Sequence, residues 1–118
     1  MTFATDRGAT APLACNLNAI GAADRPRYTE LMQKLRLAVS DAIELSDGYK
    51  FHLDVKKMPL PEVAEWIAME RLCCPFLDFC LEVNASGSEH LTLRGPVGVK
   101  DILRQEFPQS CLWARNVS

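Results

Sequence analysis

Pro61-Glu62-Val63-Ala64-Glu65-Trp66-Ile67-Ala68-Met69-Glu70-Arg71-Leu72-Cys73-Cys74-Pro75-Phe76-Leu77-Asp78-Phe79-Cys80-Leu81-Glu82-Val83 changes its apolar period halfway, and that change decides the fold. As far as Cys74, a turn of about 100° per residue gathers Val63, Trp66, Ile67, Glu70 and Cys74 on one face, which predicts a helix. Pro61 suits its first turn, where a missing N–H leaves no bond unmade. Pro75 biases the residue before it towards extended backbone, so the helix should stop near Cys74. Beyond it, Leu77, Phe79, Leu81 and Val83 alternate with Asp78, Cys80 and Glu82, the period of a half-buried strand.

Working outward, Ala85-Ser86-Gly87-Ser88 reads as a hairpin connection into a strand over His90 to Arg94 with Leu91 and Leu93 inward. Gly95-Pro96-Val97-Gly98 then makes a turn ahead of a short closing helix that ends at Phe107, with Ile102, Leu103 and Phe107 as its apolar contacts. Towards the N-terminus, Tyr49, Phe51 and Leu53 alternate with Lys50, His52 and Asp54, again a strand, and His52 should point away from the core. From Asp24 to Leu45 the residues Tyr28, Leu31, Met32, Leu35, Ala38, Val39, Ala42 and Ile43 fall on one helical stripe, with Asp24 as its cap and Gly48 at its exit. Leu13, Cys15 and Leu17 alternate with Ala14, Asn16 and Asn18 as a first strand would. One apolar stripe per helix and one apolar face per strand predict a small two-layer α+β domain. Its sheet has three or four mostly antiparallel strands packed against two to three helices. We expect a flexible lead-in over 1–12, a single domain over 13–107 and a tail over 108–118.

A chain of 118 residues that is 48% hydrophobic can close a core without metal or disulfide support. Its formal net charge of −2, with acids and bases intermixed, provides no basic stripe for nucleic acid or an anionic membrane. No apolar run suits a signal peptide or a bilayer span, so a cytoplasmic protein is expected. Five cysteines, Cys15, Cys73, Cys74, Cys80 and Cys111, make an odd set, for which free thiols or metal ligands are a better reading than a disulfide framework. The spacing lacks a CxxC pair, and His52 and His90 are far apart, so no standard zinc module is present.

Glu70 is out of place on the apolar face of its helix. A buried carboxylate must be protonated, hydrogen-bonded, paired with a cation or bound to a metal. The functional reading combines Cys15, Glu70, Cys73 and Cys74 into a sulfur-and-oxygen site for Zn²⁺ or another thiophilic metal. The plainer reading makes the cysteines small core hydrophobes and ties Glu70 to a backbone N–H, Arg71 or Arg94. A second group, Cys80, His52 and His90, shares the outer sheet face, where such residues ordinarily meet water. Trp66 and Trp113 read as packing residues.

Glu70-Arg71-Leu72-Cys73-Cys74-Pro75-Phe76-Leu77-Asp78-Phe79, followed by Leu91-Thr92-Leu93-Arg94-Gly95-Pro96-Val97-Gly98, resembles a family of small bacterial proteins of uncharacterised activity. The likeness includes an earlier cysteine at Cys15 and the Asp47-Gly48-Tyr49 exit, and so takes in most of Leu13 to Phe107. It marks Cys15, Glu70, Cys73, Cys74, Pro75, Phe76, Gly95, Pro96 and Gly98, and implies a metal-resistance or metal-responsive setting. Three functions follow as expectations. The first is a small thiol-containing binding or sensor protein holding a soft metal. The second is a structural or interaction module, a homodimer with inert buried cysteines. The third is an enzyme with Cys73 or Cys74 as nucleophile, for which the helix offers no histidine base.

Overall fold

The computed structural model describes residues 13–109 together with 112 and 113, so the lead-in over 1–12 and Cys111 lie outside the described residues. A 3₁₀ turn, Leu17–Ala19, precedes helix α1, Arg25–Ala38, which runs straight into strand β1, Val39–Leu45. Strand β2, Gly48–Leu53, helix α2, Leu60–Cys73, strands β3, Asp78–Val83, and β4, Glu89–Arg94, and helix α3, Val99–Glu106, follow. The four strands form one antiparallel sheet in the order β1-β2-β4-β3. The expected two-layer α+β architecture is therefore the observed one.

The core is where the two periods meet. Tyr49, Phe51 and Leu53 of β2 and Leu91 and Leu93 of β4 are buried with Leu31 and Leu35 of α1, Val63 and Trp66 of α2, and Leu103 of α3. Phe51 pairs with Leu91 and Tyr49 with Leu93 across the central strands, which fixes the register by keeping both apolar sets on one side. Past α3, Leu112 and Trp113 also enter this core, and the Trp113 indole donates to the Phe107 carbonyl at 2.6 Å. Part of the expected tail thus belongs to the packed domain.

Two expected elements are corrected. No strand forms over Leu13 to Leu17: the Asn16 side chain accepts from the Asn18 N–H at 3.1 Å, and the Asn16 N–H donates to the Cys73 carbonyl at 2.8 Å. The local Asn turn draws the backbone out of extension, and its remaining donor serves a helix end instead of a sheet. The first helix stops at Ala38, seven residues short of the expected end at Leu45, and β1 occupies the rest. A bulge between Val39 and Ala42 puts these two buried residues on the same side of the strand although they are three apart, so the strand imitates a helical spacing. Gly48 opens β2 instead of ending a helix; a Cβ there would collide with the backbone of Leu93 and Arg94. Among the described residues, no helix is long and apolar enough to cross a membrane.

Candidate thiol and carboxylate site

Three segments distant in sequence meet at the C-terminal end of α2. That end supplies Glu70, Cys73 and Cys74, and Pro75 makes it terminate there: the last turn closes with the Cys74 N–H donating to the Glu70 carbonyl at 2.7 Å. The segment before the 3₁₀ turn meets this end and brings Cys15, while the last residue of α3 brings Glu106. This contact places the Cα atoms of Cys15 and Cys74 4.8 Å apart, and their sulfurs are joined in a disulfide. This corrects the expectation of free thiols for these two residues; Cys73 and Cys80 carry free thiols. The spacing in sequence is 59 residues, so no local pattern announced the pair.

Glu70 is fully buried, as its place on the apolar stripe requires. Its partner is the Tyr28 hydroxyl, which donates to Oε1 at 2.6 Å, and not a neighbouring arginine: Arg71 is exposed and Arg94 pairs with Asp47. Burial, together with the adjacent Glu70 charge, raises the Tyr28 phenol well above its ordinary range, so it remains a donor. Oε2 of Glu70 and Oε1 of Glu106 are buried without a donor. Two carboxylates cannot satisfy one another, but a carboxylic acid and a carboxylate can. Burial first, and then hydrogen bonding and repulsion from Glu70, push the Glu106 carboxyl up to about 9, so it carries a proton at neutral pH and can donate to Glu70. Arg36 acts in the opposite sense, its guanidinium lying close enough to donate to the Glu106 carbonyl at 2.7 Å.

Oε2 of Glu106 lies 3.3 Å from Sγ of Cys15 and 3.8 Å from Sγ of Cys74. Disulfide sulfurs carry no hydrogen, so these approaches become thiol-to-carboxyl hydrogen bonds only on reduction. Two overlapping donor groups result. Cys15, Glu70, Cys74 and Glu106 present one atom each within 4.8 Å of one another, and so do Cys15, Cys73 and Cys74. The Cys73 thiol is buried, and burial followed by the charges of Glu70 and Glu106 pushes it up to about 11. Cys15 and Glu106 are only half-buried and give the cluster its contact with solvent.

All four residues proposed from sequence, Cys15, Glu70, Cys73 and Cys74, therefore come together, although Cys73 groups with the sulfurs and not with the carboxyls. Glu106 and Tyr28 were missed. Glu106 stands three residues after Leu103 and seven after Val99, on the buried stripe of α3, the same anomaly that singled out Glu70. Tyr28 shares the apolar stripe of α1, and only its hydroxyl, a polar atom that needs a partner when buried, marks it apart from the hydrophobes around it. On the outer sheet face His52 stands opposite His90 with ring centroids 5.4 Å apart, whereas Cys80 stands opposite Thr92, so these three do not form a ligand group. No protein-family model, no curated protein and no solved structure matches the chain.

Proposed function

We propose that this protein is a small thiol-based metal sensor whose cation site exists only when Cys15 and Cys74 are reduced. The observation that carries the reading is the convergence of two sulfur and two carboxyl donors, Cys15, Cys74, Glu70 and Glu106, within 4.8 Å. Two sulfurs and two oxygens suit a borderline divalent cation such as Zn²⁺ in four-coordination. Such a cation could take the place of the proton that Glu106 offers to Glu70, at a place where an unpaired charge is costly. Oxidation removes both sulfurs as ligands, because a disulfide sulfur is a far poorer donor than a thiolate. Metal occupancy would then report the thiol state, and the reverse.

A second reading is structural, and the disulfide favours it: the bond staples the N-terminal segment to the end of α2, and the carboxyl pair serves Tyr28. Calorimetric titration of Zn²⁺ into the phosphine-reduced and the oxidised protein separates the two. The sensor reading expects one ion per reduced chain, binding to the oxidised chain weakened by at least about a hundredfold, and loss of binding in Cys15→Ser/Cys74→Ser. Equal weak uptake by both forms would leave the structural reading.

A further inference from the structure

The two donor groups share Cys15 and Cys74 and differ in what completes them, two oxygens in one and the third sulfur of Cys73 in the other. The all-sulfur group has a chemistry of its own. Its members are buried or half-buried, and their sulfurs lie within 4.8 Å of one another with no oxygen needed to close the set. We propose that Cys15, Cys73 and Cys74 bind a three-coordinate thiophilic centre of the trivalent-arsenic class, with Glu70 and Glu106 outside its coordination sphere. This shares with the sensor reading only the requirement that the Cys15–Cys74 bond opens.

Charge is what favours this class at this place. A divalent cation held by two thiolates and two carboxylates leaves net negative charge in the interior unless both carboxyls keep their protons. Three sulfurs on a trivalent centre give a neutral product, which the interior around Cys73 and Cys74, 3% and 0% exposed, accommodates without that cost. Softness acts in the same direction, since a thiophilic centre gains little by exchanging sulfur for carboxyl oxygen. Adjacent Cys73 and Cys74 supply two sulfurs from one helix end, and half-buried Cys15 supplies the third from the segment before the 3₁₀ turn.

The chemistry balances. A thiol or phosphine reductant first takes the disulfide to two thiols and is itself oxidised by two electrons. Arsenous acid then exchanges its three hydroxyls for three thiolates: three As–O bonds break, three As–S bonds form, and each thiol proton leaves with a hydroxyl as water. Arsenic stays trivalent throughout.

The test uses the full chain, reduced with a phosphine and freed of metal, with arsenite as the probe. Intact-mass measurement and alkylation mapping should show one arsenic per chain protecting three of the five thiols, those of Cys15, Cys73 and Cys74. Cys73→Ser should weaken arsenite by at least about tenfold and leave Zn²⁺ binding nearly unchanged, whereas Glu106→Gln should do the reverse. The mapping needs no variant, so a poorly folded Cys73→Ser chain does not block the test. Protection of a different set of thiols, or of two only, overturns the proposal, as does arsenite binding that ignores Cys73. Zn²⁺ failing to bind while arsenite still protects these three thiols supports the proposal and removes the divalent reading alone.

Discussion

Tyr28 on the first helix donates its phenolic proton to Glu70 on the second at 2.6 Å, and both groups are buried. This bond joins two helices through the only polar atom of a side chain that otherwise packs as a hydrophobe. Tyr28→Phe keeps the ring and removes the donor, leaving Oε1 of Glu70 without its partner. The expected loss is about 1–3 kcal/mol in chemical denaturation, the cost of an unsatisfied buried acceptor. A variant as stable as the wild type would mean that Glu70 finds another donor.

Glu106 makes stability depend on pH. Its folded pKa, about 9, is above the value of 4.5 for a free carboxyl, so between these the folded chain holds a proton that the unfolded chain has lost. The contribution is fully present below the lower value and is lost as pH rises through the upper one. Denaturation curves from pH 5 to 9 should show wild-type stability falling by up to about 1.4 kcal/mol per pH unit from this group. Glu106→Gln, which cannot ionise but still offers N–H donors, should flatten that slope and be the more stable chain at pH 9. Identical slopes would show that Glu106 titrates as an exposed carboxyl does.

Gly48 lies against the backbone of Leu93 and Arg94 where β2 meets β4. Gly48→Ala puts a methyl group into atoms that cannot rotate away, so the central strands must separate locally. The thermal midpoint should fall, with about 1–3 kcal/mol lost, the usual range for overpacking. Gly87→Ala is the informative contrast. Among the described residues nothing beyond its chain neighbours lies within 4 Å of its added Cβ, so any loss there arises from the positive φ of 92° and not from a collision.

The layers were legible because α2, β2, β3 and β4 each keep one period from end to end. The boundary at Pro75 was legible because proline acts through local sterics. β1 was not, because its bulge gives Val39 and Ala42 the spacing of a helix and lets one stripe run on from Ala38. In the site, Glu70 stood out as a charge on an apolar stripe, and Glu106 obeys the same rule on α3. Its helix is short, and a stripe of few residues shows an intruder less clearly. The Cys15–Cys74 bond depended on how the N-terminal segment meets α2, a long-range matter on which spacing is silent.

That bond also changes the connectivity of the molecule. It closes a covalent ring of α1, β1, β2 and α2, from which β3, β4 and α3 continue as a branch. A backbone nick within the ring, for instance in the turn after Asp54, leaves the oxidised chain in one piece. A nick between β3 and β4 releases the end that bears Glu106. Oxidised protein is thus tolerant of proteolysis in one half and vulnerable in the other, and reduction abolishes the distinction.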